Sequence, residues 1–151
     1  MRALFTSTPE FAHFLPLTPV AGALAAAGHE VAFATPAYLR ETIEAAGISW
    51  LRAGIEYDDP EMVPLDAQRK ALRGREQVQF MREHILGGIR PRRMVPDLLA
   101  IAETWQPDVL VRDGGEYGAM IAGELLGIPH AKVQVLAGGT PSHSTEALSR
   151  D

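Results

Sequence analysis

The sequence predicts an α/β fold, a doubly wound parallel sheet with helices on both faces, and three observations lead to it. A helix, a single glycine and a short strand succeed one another three times, at Gly28, Gly47 and Gly127. Regular alternation of strand and helix is the pattern of parallel sheets covered on both sides. Val109-Leu110-Val111 is a continuous apolar run, as expected of a strand buried on both faces. A chain of 151 residues with 46% hydrophobic content has material for one domain with a real core.

Leu4-Phe5 opens a short apolar strand that stops at the breaker cluster Ser7-Thr8-Pro9. From Pro16 onward, Leu17, Val20, Ala21 and Leu24 recur at the spacing of one helical face, and Gly28 supplies the stop. Glu30-Val31-Ala32-Phe33-Ala34 alternates toward a second strand. Thr35-Pro36 offers an N-cap followed by proline at the first helical position, and Leu39, Ile43 and Ala46 carry that helix to Gly47. Ile48-Ser49-Trp50-Leu51 is the third strand. Residues 54–66 are acidic, interrupted by Pro60 and Pro64, and without period. A charged helical stretch follows from about Ala67 to Ile85, with a break predicted at Gly87-Gly88. The next helix, from about Pro91 to Trp105, places Met94, Leu98, Ile101 and Trp105 on one stripe, and Pro107 ends it. The strand at Val109–Val111, a helix over 116–126 capped by Gly127, and a fifth strand from Ala131 to Leu136 complete the order. The tail from Gly138, rich in Gly, Ser, Thr and Pro, is expected to fray.

Composition narrows the function. Lys plus Arg number 14 against 19 Asp plus Glu, a net charge of −5, so the chain has no electrostatic footprint for nucleic acid. The absence of cysteine excludes a disulfide scaffold, a thiolate nucleophile and a Cys-based zinc site. The N-terminus has no secretory apolar region, and the apolar stretch from Phe14 to Ala27, broken by two prolines and a glycine, is too short to span a bilayer. These features predict a soluble, cytoplasmic protein with no membrane partner.

Sheets of this class bind ligands outside the carboxyl ends of their strands. The residues to inspect are therefore Ser7 to His13, Thr35, and Asp113-Gly114-Gly115. The loop Ser7-Thr8-Pro9-Glu10-Phe11-Ala12 contains no glycine, so a dinucleotide fingerprint is excluded, and neither a Walker loop nor a Gly-x-Ser-x-Gly elbow occurs. The turn Asp113-Gly114-Gly115-Glu116-Tyr117-Gly118 could cradle an anion by shape, but its two carboxylates oppose one. No two of His13, His29, His84, His130 and His143 stand at metal-ligand spacing, so no metal site is expected. Asp58, Asp59 and Glu61 lack the glycine of a calcium loop and read as a solvated acidic turn, while Met94, Ile101 and Trp105 read as core.

His13 differs from the other histidines. Phe11, Phe14 and Leu15 flank it, so one face of its ring is expected to meet an apolar pocket. A neutral imidazole is a competent base for a hydroxyl proton. Asp113, if it lies nearby across the sheet edge, would hold the other ring nitrogen. A structural histidine at a helix start is the alternative.

Several segments together resemble a known family. They are Met1-Arg2-Ala3-Leu4-Phe5-Thr6, His13-Phe14-Leu15-Pro16-Leu17, the run from Leu24 through Gly28-His29-Glu30-Val31 to Thr35, Pro107 to Asp113, and Ala122 to His130. They resemble glycosyltransferases of the GT-B fold, most closely the UDP/TDP-sugar-dependent family that decorates macrolides, aromatic polyketides and other natural products. The likeness covers nearly the whole chain and is most specific between His13 and Thr35. It implies a Rossmann-like N-terminal half of a GT-B fold, with 1–151 as an acceptor-binding domain incomplete at its C-terminal end and the nucleotide-sugar-binding domain absent.

In that family His13 matches the general base and Asp113 the acidic partner that orients it. The acceptor oxygen attacks the anomeric carbon with inversion, without metal or bound cofactor. The co-substrate, a UDP- or TDP-sugar, is bound mainly by the other domain. The region from Ile55 to Arg93 matches the variable segment lining the acceptor pocket, which makes Phe80, Met81 and Ile85 candidate acceptor contacts beside Phe11 and Phe14, with ordinary helix packing as the competing role. Ala12 departs from the glycine usual before the histidine. The implied partners are a small-molecule acceptor and a donor half, in the same or a separate chain. An exposed inter-domain face would invite self-association. A non-catalytic small-molecule binding or interaction module is the alternative from another class.

Overall fold

The structure, a computed structural model, describes residues 1–134. Five strands form one sheet: β1 (Arg2–Thr6), β2 (Glu30–Thr35), β3 (Ser49–Arg52), β4 (Val109–Asp113) and β5 (His130–Val133). All pairings are parallel and the order is β3-β2-β1-β4-β5. The helices are α1 (Phe11–Phe14), α2 (Thr18–Ala26), α3 (Arg40–Ala45), α4 (Met62–Ala71), α5 (Gly74–Phe80), α6 (Arg90–Trp105) and α7 (Gly118–Leu126). None among the described residues is long and apolar enough to cross a membrane. Val135, Leu136, His143 and the tail from Gly138 lie outside the described residues.

Side chains alternate across a strand, and here both faces are filled. Ala3, Phe5, Phe33 and Val111 point to the side covered by Phe14, Leu17, Ala21, Leu39 and Ile43, the layer of α2 and α3. Leu4, Ala32, Ala34 and Leu110 point to the other, where Met94, Leu98, Ala119 and Ala122 of α6 and α7 pack. The doubly wound reading therefore holds. It also explains why β2 shows five successive buried residues instead of the alternation anticipated from its sequence. The three helix-to-strand glycines take left-handed backbone, with φ of 82° at Gly28, 72° at Gly47 and 67° at Gly127.

Three local expectations are corrected. Thr35 is the last residue of β2 rather than an N-cap, because the turn that follows starts only at Ala37, after an extended Pro36, and the Thr35 hydroxyl donates to the Pro36 carbonyl at 3.2 Å. Its hydroxyl accepts a hydrogen bond from Trp50 Nε1 at 3.1 Å, and a 3₁₀ turn over Ala37–Leu39 leads into α3. Residues 54–66 are not irregular throughout, since α4 begins at Met62, and the acidic turn is ion-paired rather than merely solvated. Asp59 meets Arg93 at 3.2 Å, and Glu61 meets Arg93 at 2.6 Å and also Arg92.

Gly87-Gly88 does not break the helix. The chain runs helical from Gly74 to Trp105 and is wound as a π-helix over Met81–Ile89, with the Arg90 N–H bonded to the Ile85 carbonyl. A Cβ at Gly87 would stand 2.9 Å from the Arg82 carbonyl oxygen, and one at Gly88 3.0 Å from that of Glu83. The wider winding crowds these positions against the backbone, which only glycine tolerates freely.

Candidate active site

The strand order reverses between β1 and β4. The chain leaves β1 outward to β2 and β3, then returns to lay β4 against the other side of β1. Parallel register places Thr6 beside Arg112, so the loop entering α1 and the loop entering α7 leave the sheet side by side. The first leads into α1, which carries His13, and the second starts from Asp113, the last residue of β4, a hundred residues away in sequence.

Asp113 is completely buried, and its carboxylate is satisfied by three donors. Oδ1 accepts from His13 Nδ1 at 3.0 Å and from the Gly115 N–H at 2.5 Å, and Oδ2 accepts from the Thr8 N–H at 2.8 Å. Because a carboxylate only accepts, Nδ1 of His13 is the donor in this bond, and Nε2 is the ring nitrogen that does not face Asp113. His13 is partly open, with 24% of its side chain exposed, and lines a large cavity. Gly115 stands at the junction. A Cβ there would meet Asp113 Oδ1 at 3.3 Å and His13 Cε1 at 3.7 Å.

Two further buried groups hold the loop that carries Asp113. Glu116 accepts from the Thr6 hydroxyl at 2.8 Å and from the N–H groups of Gly118 and Ala119 at 2.5 and 2.9 Å, capping the first turn of α7. Burial pushes its carboxyl above the ordinary range; the Ala119, Thr6 and Gly118 hydrogen bonds oppose that rise and the Asp113 charge adds to it. The Arg112 guanidinium donates to the carbonyls of Asp113 at 3.2 Å and Glu116 at 3.1 Å, closing the loop across its ends. At the other side of His13, Glu10 forms a two-point ion pair with Arg90.

The cavity has a volume of about 1370 Å³, above the range that suits drug-sized ligands. His13, Tyr57, Met62, Met81, Ile85 and Leu86 contribute to its wall. Of the anticipated contacts, Met81 and Ile85 thus reach it. Phe14 does not: it is 1% exposed and packs on Phe33 at 5.1 Å, so the core consumes the face a ligand would need. Phe11 turns outward onto Tyr38 at 5.6 Å and is absent from the wall, as is the exposed Leu15. Phe80 lies behind the wall, packed with Ile55, Met62, Ile85 and Ile89. The apolar surface before His13 therefore comes from α4 and the π-wound segment, not from the histidine's neighbours in sequence. Thr8 and Glu10 lie in the stretch Ser7 to His13 marked for inspection, but Tyr57, Met62 and the pairing of Glu10 with Arg90 were not singled out by sequence reasoning. No local spacing could reveal a pair separated by eighty residues.

Of the other histidines, His84 packs against the Phe80 ring and His130 meets Glu124. Among the described residues, no group of three or more His, Asp or Glu side chains is placed to hold a metal ion.

Comparison with known proteins gives one family match, to the erythromycin biosynthesis protein CIII-like N-terminal domain over residues 22–149. The 10-deoxymethynolide desosaminyltransferase of Streptomyces venezuelae is 30% identical over 155 residues, which span 88% of this chain and 35% of that protein. The chain spans about a third of the length of the curated relatives it matches. Among solved structures, the glycosyltransferase SnogD from Streptomyces nogalater superposes with a TM-score of 0.74 at 26% identity, covering 96% of this chain and 37% of its own. The spinosyn rhamnosyltransferase SpnG, solved with spinosyn aglycone and separately with thymidine diphosphate, superposes with a TM-score of 0.71 at 27% identity over 97% of this chain and 38% of its own.

Proposed function

The chain belongs to the family of erythromycin biosynthesis protein CIII-like N-terminal domains, and on that premise we propose that it is the acceptor-binding, general-base half of an inverting glycosyltransferase. Its fold is the Rossmann-like N-terminal half of a GT-B enzyme. The observation that carries the reading is the 3.0 Å hydrogen bond from His13 Nδ1 to a fully buried Asp113, on the wall of a cavity with room for a polyketide-sized acceptor.

In this reading Nε2 of His13 takes the proton of an acceptor hydroxyl. The oxygen forms its bond to the anomeric carbon of a nucleotide diphosphate sugar, the bond from that carbon to the diphosphate breaks, and the nucleoside diphosphate leaves. A single displacement inverts the anomeric centre. Asp113 fixes the tautomer and stabilises the imidazolium that forms. The donor is held mainly by a second half, in the same or another chain, since the loop after β1 has no glycine cradle for a diphosphate. The relatives' names and the thymidine diphosphate in the solved structures favour a TDP-linked deoxysugar as donor and a macrolide or aromatic polyketide as acceptor.

The test is His13→Ala in the enzyme assembled with its donor half. Transfer is expected to fall roughly 10²–10⁴-fold, the scale of a lost general base, with acceptor affinity little changed. Turnover at the unsubstituted rate would show that the base is some other group.

A further inference from the structure

His13 belongs to α1, a helix of four residues with no side-chain cap. It runs on through a 3₁₀ turn over Leu15–Leu17 into α2, so its C-terminal side is held and its entry is the end left to be fixed. At its C-terminal end Phe14 is anchored in the core. At its entry the Glu10 carbonyl accepts the N–H groups of His13 at 2.9 Å and Phe14 at 3.1 Å, so where Glu10 sits determines where the imidazole sits. Glu10 is tied to Arg90, with Nη2 to Oε1 at 2.5 Å and Nη1 to Oε2 at 3.3 Å. Arg90 is 14% exposed, begins α6, and receives its register from the π-wound segment before it. Both members of the pair line the same cavity as His13.

We propose that the Glu10–Arg90 ion pair is a positioning device for His13, clamping the entry of α1 to α6 and cancelling a carboxylate that would otherwise face the imidazole unbalanced. The proposal rests on His13 being the base but does not need the transfer reaction for its test. Burial alone would raise the Glu10 carboxyl; the Arg90 hydrogen bond and charge outweigh it and hold the group below the usual carboxylate range, so the pair is fully ionised near neutrality. The other charges around His13 are Asp113 from β4, Arg112 and Lys132 at the ends of β4 and β5, and Arg82 from the π-wound segment. Tyr57 and Asp58 face the cavity from the loop after β3, and α4 presents Asp66 already paired with Arg69 and Lys70. Burial and the Glu10 charge push the Tyr57 phenol upward, so it stays neutral.

The experiment is an NMR titration of the His13 imidazole in the full chain, with no donor or acceptor present. Arg90→Gln removes the cation but keeps hydrogen-bond donors. The bare Glu10 carboxylate then favours the imidazolium, and the His13 midpoint is expected to rise by roughly half to one pH unit, the scale of one unbalanced charge sharing a partly solvated cavity. Glu10→Gln is nearly isosteric and leaves Arg90 uncompensated, so the midpoint is expected to fall by a similar amount. The double variant is expected to return close to the original value, and Arg90→Lys to leave it unmoved. A loss of packing alone does not produce opposite signs that cancel. Midpoints that stay put, or move the same way in both single variants, would overturn the proposal. Should Arg90→Gln fail to fold, Glu10→Gln decides alone, a fall supporting the proposal and anything else overturning it. Because no sugar transfer is measured, a wrong glycosyltransferase assignment would leave these shifts intact, whereas they would be absent if the pair did not balance charge at His13.

Discussion

Replacing Asp113 by asparagine separates hydrogen-bond geometry from mere shape at the centre of the site. The two carboxylate oxygens have different clients: Oδ1 serves Gly115 N–H and His13 Nδ1, while Oδ2 serves Thr8 N–H. An asparagine has one acceptor oxygen. Placed at Oδ1, it leaves its NH₂ facing the Thr8 N–H, donor against donor. Placed at Oδ2, it turns NH₂ toward the Gly115 N–H and forces Nδ1 of His13 to surrender its hydrogen. Either orientation strands one buried backbone N–H, at about 1–3 kcal/mol. The surviving bonds also lose charge assistance, which roughly halves their strength. Together the loss is about 2–4 kcal/mol, or a Tm lower by roughly 5–15 °C for a chain of this size. Urea unfolding at pH 7 measures the first quantity, and nitrogen shifts of the His13 ring report its tautomer. In the assembled enzyme, the second orientation places the hydrogen on Nε2 and lowers kcat by roughly 10⁴-fold, as the equivalent change does in serine proteases. A stability loss under about 0.5 kcal/mol, with hydrogen still on Nδ1, would refute the hydrogen-bond assignment.

Other outcomes follow from the same geometry. Gly118→Ala places a Cβ 2.5 Å from Met94 Cγ and 2.6 Å from Glu116 Oε1, so it is expected to destabilise by about 1–3 kcal/mol in chemical denaturation; a neutral result would mean that α6 and α7 are not in such contact. Gly87→Ala, which in an ordinary helix would stabilise by up to ~1 kcal/mol, is expected to destabilise here, and thermal melts that move upward would argue against π-winding. Glu116 has a folded-state carboxyl raised above its ordinary 4.5, so the folded chain holds a proton that the unfolded chain has lost, and stability falls as pH rises from about 4.5 through the raised value. Glu116→Gln is expected to flatten that slope. Parallel stability curves for the two proteins between pH 4.5 and 7 would exclude the buried carboxyl as its source.

Much of the architecture was legible because it depends on local chemistry. Left-handed glycines mark the turns, and the run Val109-Leu110-Val111 announces a strand covered on both faces. His13 and Asp113 were legible as a pair only because the switch in strand order brings two loop starts together, a property of the fold class rather than of either loop. What sequence could not supply was direction. Phe14 and Phe11 differ by three positions on a helix too short to have a face, and the core captures one while the other turns outward. The helical stretch after residue 74 misled for a different reason. Four of its buried residues, Phe80, Ile85, Ile89 and Met94, are spaced five, four and five apart, whereas Met94, Leu98, Ile101 and Trp105 return to four, three and four. A search tuned to 3.6 residues per turn loses the first set, and two glycines then look like a stop.

That change of pitch has an evolutionary consequence. A π-wound turn holds one residue more than an α-turn, so a single deletion within Met81–Ile89 can be absorbed by rewinding instead of rotating everything downstream. The stripe that seats α6 on the sheet would keep its phase while the side chains facing the cavity are dealt in a new order. The segment thus works as a phase buffer.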